Sequence, residues 1–184
     1  FRAQGADRSS EGQLVCFGPN GADPHHSPND TVLRRGDSVV LDIFIPIRRY
    51  WCDMTRTVFF GAVSDEGRRV YDTVRAANET AEAMIRPGIP MRDIDAAARK
   101  VITDAGYGPY FTHRLGHGCG LDCHEPPDNS SACEVLTRPG MVFSVEPGIY
   151  LPGKLGVRVE DLVLVTEGGC EVLNNYPKGI QIVE

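Results

Sequence analysis

At 184 residues the chain can bury one sizeable core, and neither its length nor its composition asks for a second domain, so 1–184 reads as one unit. Nineteen basic against 25 acidic residues leave a net charge of −6, with no basic run to follow a phosphate backbone or an anionic bilayer. Nucleic acid and membrane are therefore not expected partners; no apolar run approaches the roughly 20 residues of a membrane span.

The opening "FRAQGADRSSEGQ" is polar, starts without Met and lacks the basic and apolar regions of a secretion signal, which reads as a fragment beginning inside a longer domain. Six dispersed cysteines, at 16, 52, 119, 123, 133 and 170, suit reduced thiols and a cytoplasmic address better than a disulfide framework. "SVVLDIFIP" (38–46) and "YWCDMTRTVFF" (50–60) are β-branched and apolar around a turn at "IRR", the pattern of a hairpin. From Ser64, an N-cap with acids in the first turn, apolar residues recur at Val70, Val74, Ala77, Ala81, Met84 and Ile85 and predict a helix. A second helix is expected over about 91–105, ended by Gly106. The runs 141–150 and 156–166 are β-like, with a turn at "EGG" leading into "CEVLNN". Grouped helices among strands imply an α+β layout, helices on one face of a largely antiparallel sheet.

Two features carry chemistry. Asp42, Asp53, Glu146 and Glu160 each interrupt an otherwise apolar strand, where a carboxylate costs several kcal/mol unless a cation compensates it. Arg56 and Arg158 could pair with one or two of them; all four together point to hard divalent cations held by oxygen. By the strand period of two, Arg158, Glu160, Leu162 and Leu164 share a face, so Arg158 can brace the site that Glu160 ligates. The second feature is "HRLGHGCGLDCHEPP" (113–127), whose glycines and prolines rule out the helical zincin arrangement. A closed zinc site of His117, Cys119, Cys123 and His124 is chemically allowed, although its spacing matches none of the usual paired patterns.

The order Asp42, Asp53, His117, Glu146, Glu160, with "CDMTRT", "HRLGHGCGLDCHEPP", "SVEPGIY" and "GVRVED" around them, resembles the pita-bread metallopeptidases of family M24, in their Xaa-Pro aminopeptidase and prolidase branch. The likeness runs from about Gly18 to Thr166. It implies two divalent ions, manganese first and cobalt, zinc or iron(II) open. Asp42 would ligate one ion, Asp53 and Glu160 would bridge both, and His117 with Glu146 would complete the other. Glu146 also carries the family's proton-shuttle role. His25, His113 and His124 match the substrate-side histidines, and Arg158 the arginine before the last glutamate; His26 reads as a solvated loop residue. The implied partner is a peptide with proline second, cleaved before that proline, and a homodimer is the implied assembly. Arg114 and Arg138 are candidates for gripping a dipeptide's carboxylate. A metal-free pita-bread module that binds a protein partner is the alternative. "DIFIPIRRYWCD" departs from the family pattern, with Phe44 and Arg49 where glycines are usual, and the strand and helices that open the family's first half are not visible.

Overall fold

The computed structural model describes residues 2–7 and 13–184; part of the polar opening of the sequence lies outside them. Two strands fold as the alternation of apolar residues predicts: β2 (Ser38–Ile47) pairs antiparallel with β3 (Tyr50–Phe60), placing Asp42 opposite Thr55 and Phe44 opposite Asp53. A strand the sequence did not announce, β1 (Leu14–Phe17), runs antiparallel along the free edge of β2; four residues are too few to display a period. The turn between β2 and β3 places both Arg48 (φ 51°) and Arg49 (φ 73°) in the left-handed region, the mirror-image turn that matches strand twist. Asp7 fastens it: its N–H donates to the Pro46 carbonyl (2.9 Å), and its carboxylate accepts from the Arg49 N–H (2.6 Å).

The helices α1 (Asp65–Met84) and α2 (Met91–Asp104) form where expected. Ser64 Oγ accepts the Gly67 N–H at 3.0 Å, satisfying an otherwise orphaned first-turn donor. Gly106, at φ 85°, ends α2. Val70, Val74, Ala77 and Ala81 of α1 and Met91, Ile94, Ala98 and Ile102 of α2 are buried in one core with strand residues, each large side chain contributing about 1.5–3 kcal/mol.

Beyond α2 the chain forms β4 (Gly116–Gly118), β5 (Glu125–Asn129), β6 (Val142–Val145), β7 (Gly148–Leu151), β8 (Leu155–Arg158), β9 (Asp161–Val165), β10 (Cys170–Val172) and β11 (Ile182–Val183). Two expectations need correction. The runs 141–150 and 156–166 are not continuous strands: β6 and β9 belong to a five-stranded sheet ordered β10-β9-β6-β4-β5, while β7 and β8 make a separate hairpin. Pro147 lacks a ladder donor and interrupts the first run. Opposite it, the second run turns away at Val159–Glu160, where the Glu160 N–H donates to the Thr55 carbonyl of β3 (3.0 Å). The shared-face argument for Arg158 through Leu164 therefore fails, because the strand it assumes stops at Arg158. A third sheet, β1-β2-β3-β11, completes the α+β layout.

Candidate metal centre and active site

Each candidate ligand comes from a different segment. Asp42 lies on β2, Asp53 on β3 and His117 on β4; Glu146 and Glu160 occupy the two facing breaks where the chain passes between sheet and hairpin. Together with His25, His113, His124 and Arg158 they line one cavity of about 400 Å³. Gly116 explains the glycines around His117: a Cβ there would stand 2.0 Å from the Ser144 carbonyl oxygen. Glycine thus lets β4 press against β6, and the His117 N–H reaches Ser144 Oγ at 3.0 Å.

His117 Nδ1 bonds to the Gly118 carbonyl (3.1 Å). That contact places the proton on Nδ1 and leaves Nε2 as a bare donor atom, 3.4 Å from Glu146 Oε1 and 3.8 Å from Asp53 Oδ2. Ligand atoms of Asp53, His117 and Glu160 lie within 4.8 Å of one another, all three residues buried. Glu160 is aimed by the Thr55 hydroxyl, which donates to Oε2 at 2.6 Å. Asp42 is held differently. Its Oδ2 accepts from Arg158 Nη2 at 2.5 Å, and its buried Oδ1 has no partner among the described residues.

The electrostatics are those of anions short of a cation. Burial raises Asp53 to about 8, helped by the charges of Asp42 and Glu146, and burial raises Glu146 to about 7 against the pull of Arg158. Glu160 is pushed well up by burial and then by Asp53, while Asp42 is raised by burial although Arg158 opposes it. Burial lowers both His113 and His117 to about 4, so both imidazoles are neutral at neutral pH. Four clustered carboxylates, an orphaned buried oxygen and a bare imidazole nitrogen fit a divalent-ion centre of oxygen ligands with one nitrogen.

The remaining predicted residues separate by role. His124 stacks edge-on against His117 with ring centroids 4.1 Å apart. His25 stands exposed at the rim, and His26 lies outside the lining, bonded to Asn29 at 2.9 Å. His113 turns to Tyr150: its Nε2 accepts from the hydroxyl at 2.9 Å, and Arg158 Nη1 donates to that same oxygen at 3.1 Å. Arg114 lines the cavity, paired with Asp128 at 2.8 Å; Arg138 is exposed and does not. Arg56 pairs with Asp161 (2.7 Å) rather than with any of the four acids. The zinc arrangement does not assemble. Cys119 Sγ points to the Trp51 carbonyl (3.5 Å), and burial pushes its thiol up to about 12.

Sequence reasoning missed Tyr150, Thr55 and the clamp behind His113. Thr55 follows Asp53 by two and could have been found by strand period; Tyr150 reads as core. The clamp is Asp95 on α2, fully buried, which accepts from Arg99 Nε and Nη2, each at 2.9 Å, and from the Leu115 N–H at 3.1 Å. Arg99 in turn donates to the carbonyls of Phe111 (3.1 Å) and His113 (3.0 Å).

Known proteins resemble this chain over nearly its whole length. An uncharacterised peptidase of Staphylococcus saprophyticus is 46% identical over 178 residues, 97% of this chain and 51% of that relative. Among solved structures, a prolidase from Thermococcus sibiricus superposes with a TM-score of 0.94 at 44% identity, over 97% of this chain and 48% of its own. An X-Pro aminopeptidase from Thermotoga maritima gives 0.95 at 40%, over 99% of this chain and 52% of its own. The chain thus spans about half the length of the relatives it matches, and shares the pita-bread fold with these neighbours. The match to the profile of metallopeptidase family M24 covers residues 1–167, starting earlier than the motifs alone indicated, and the chain belongs to that family.

Proposed function

We propose that this chain is the metal-bearing part of a peptidase that hydrolyses the bond preceding proline, as an Xaa-Pro aminopeptidase or dipeptidase. The observation that carries the reading is the convergence of Asp42, Asp53, His117, Glu146 and Glu160 on one cavity where, among the described residues, Arg158 is the one cation paired with any of the four acids. In this reading Asp42, Asp53, His117, Glu146 and Glu160 would together hold two divalent ions. Manganese suits the oxygen-rich set, with cobalt, zinc or iron(II) as substitutes. When bound, such a pair supplies Lewis acidity and a water acidic enough to act as nucleophile at neutral pH.

The protein's own groups do the rest. Glu146 lines the cavity beside His117 and would take a proton from the attacking water and pass it to the leaving nitrogen, a contribution of typically 10²–10⁴-fold. His124, edge-on to His117 and lining the same cavity, would donate to the carbonyl oxygen as charge develops. The nitrogen of an Xaa-Pro bond has no N–H, so recognition rests on the ring; Leu14, Pro24 and Phe44 supply apolar wall for it. The neighbours named as prolidase and X-Pro aminopeptidase support this substrate class. Six free thiols suit a reducing, cytoplasmic setting.

Metal analysis combined with release of the N-terminal residue from Xaa-Pro and Xaa-Pro-Xaa peptides tests the reading. Two ions per chain and manganese-stimulated cleavage are expected. Absence of metal binding would favour a non-catalytic module instead.

A further inference from the structure

The segment after β10 contributes nothing to the cavity lining, yet it is tied at three points to the elements around the proposed ligands. Asn174 lies between β3 and β9. Its Oδ1 accepts the Leu162 N–H at the start of β9 (2.6 Å), and its Nδ2 donates to the carbonyl of Asp53 itself (3.2 Å). Two residues on, the Tyr176 carbonyl accepts from Arg56 Nε (3.3 Å) and Nη2 (2.9 Å), while Arg56 Nη1 donates to the carbonyls of Thr55 (2.9 Å) and Glu160 (2.5 Å). Lys178 Nζ then donates to Asn78 Oδ1 (2.7 Å) and pairs with Glu82 (2.6 Å) and Asp161 (2.9 Å). Asn78 in turn donates to the carbonyl of Val145, beside Glu146, at 2.9 Å. Asn174, Tyr176 and Lys178 are thus each tied, directly or through one side chain, to the backbone at or beside a proposed ligand: Asp53, Glu160 and Glu146.

Asp53 stands on β3 and Glu160 in the break just before β9, so no ladder runs through both, and their separation depends on what joins β3 to the start of β9. Thr55 bonds Glu160 directly from one side, and Asn174 adds a second join with a single amide that reaches Asp53 itself. We propose that residues 173–178 form a strap that sets the spacing of the metal ligands, with Asn174 as the positioning residue between Asp53 and Glu160. The inference rests on the two-ion reading above. Carboxylates shared by two ions tolerate only small displacements, and partners of this outer kind are typically worth 10–100-fold in metal affinity.

The test is calorimetric titration of the metal-stripped protein with Mn²⁺, together with the visible spectrum of the Co²⁺-loaded protein. Wild type is expected to take two ions. Asn174→Ala should weaken one of them about 10–100-fold and alter the cobalt bands, with the circular dichroism of the fold retained. Asn174→Asp keeps the acceptor for Leu162 and removes the donor to Asp53, so it too should bind one ion more weakly; if the alanine variant does not fold, this variant decides. Two ions bound with wild-type affinity and an unchanged cobalt spectrum would overturn the strap's role, whatever the melting temperature does. Failure of wild type to bind two ions would instead bring down the underlying two-ion reading, and the strap's role with it.

Discussion

Individual side chains in the cavity differ in what they touch, and their variants should separate accordingly. Asp53 and His117 face the other candidate ligands at 3.4–3.8 Å or within the 4.8 Å group, so Asp53→Asn or His117→Ala is expected to abolish metal binding and turnover together. His124 meets His117 edge-on and stands outside the cluster of ligand atoms formed by Asp53, His117 and Glu160. His124→Ala should therefore lower kcat by about 10²-fold or more while metal analysis still finds the ions; their loss would remove His124 from the substrate side. Most of this was readable beforehand, since a carboxylate within an apolar strand is conspicuous without any partner being known. Tyr150 was not readable. Nothing in "PGIY" distinguishes a core tyrosine from one whose hydroxyl joins His113 to Arg158.

Whole elements hold those side chains in place, and three of their features can be tested. The β2–β3 turn uses two arginines at positive φ, a conformation that costs a residue other than glycine about 1–2 kcal/mol. Arg49→Gly, which keeps the N–H bonded to Asp7, should raise stability by about 0.5–1 kcal/mol after glycine's entropy is deducted; a lowered urea midpoint would contradict this. The clamp on α2 should behave oppositely. Asp95→Ala strands Arg99 and the Leu115 N–H, and an expected loss of about 2–4 kcal/mol in urea unfolding should accompany weaker catalysis through a displaced His113. Gly116→Ala cannot be accommodated without parting β4 from β6, so metal binding should fall along with stability. Helix limits were legible because Ser64 and Gly106 act on their own neighbours. The breaks at Glu146 and Glu160 were not, since a strand ends where its partner leaves and the partner is distant in sequence.

At the scale of the molecule, burying four acids together sets the pH response. Asp53 at about 8 and Glu146 at about 7 lie above their ordinary 3.8 and 4.5. Raised folded values for acids mean stabilisation that is full below the unfolded values and disappears as pH climbs through 7 to 8. Metal-stripped protein should therefore melt at progressively lower temperature from about pH 5 to pH 8, and added Mn²⁺ should recover more stability the higher the pH. A metal-free melting temperature that rises over that window would refute the raised values. The sequence by itself determined which residues carry charge into apolar strands, their order along the chain and the helices between them, because those are local conflicts and local caps. Only the tertiary structure decided that the strands break at two of those acids, that Thr55 meets Glu160 from 105 positions away, and that the tail braces Asp53. Such pairings arise when separate sheets pack together, and no property of either residue alone encodes the meeting.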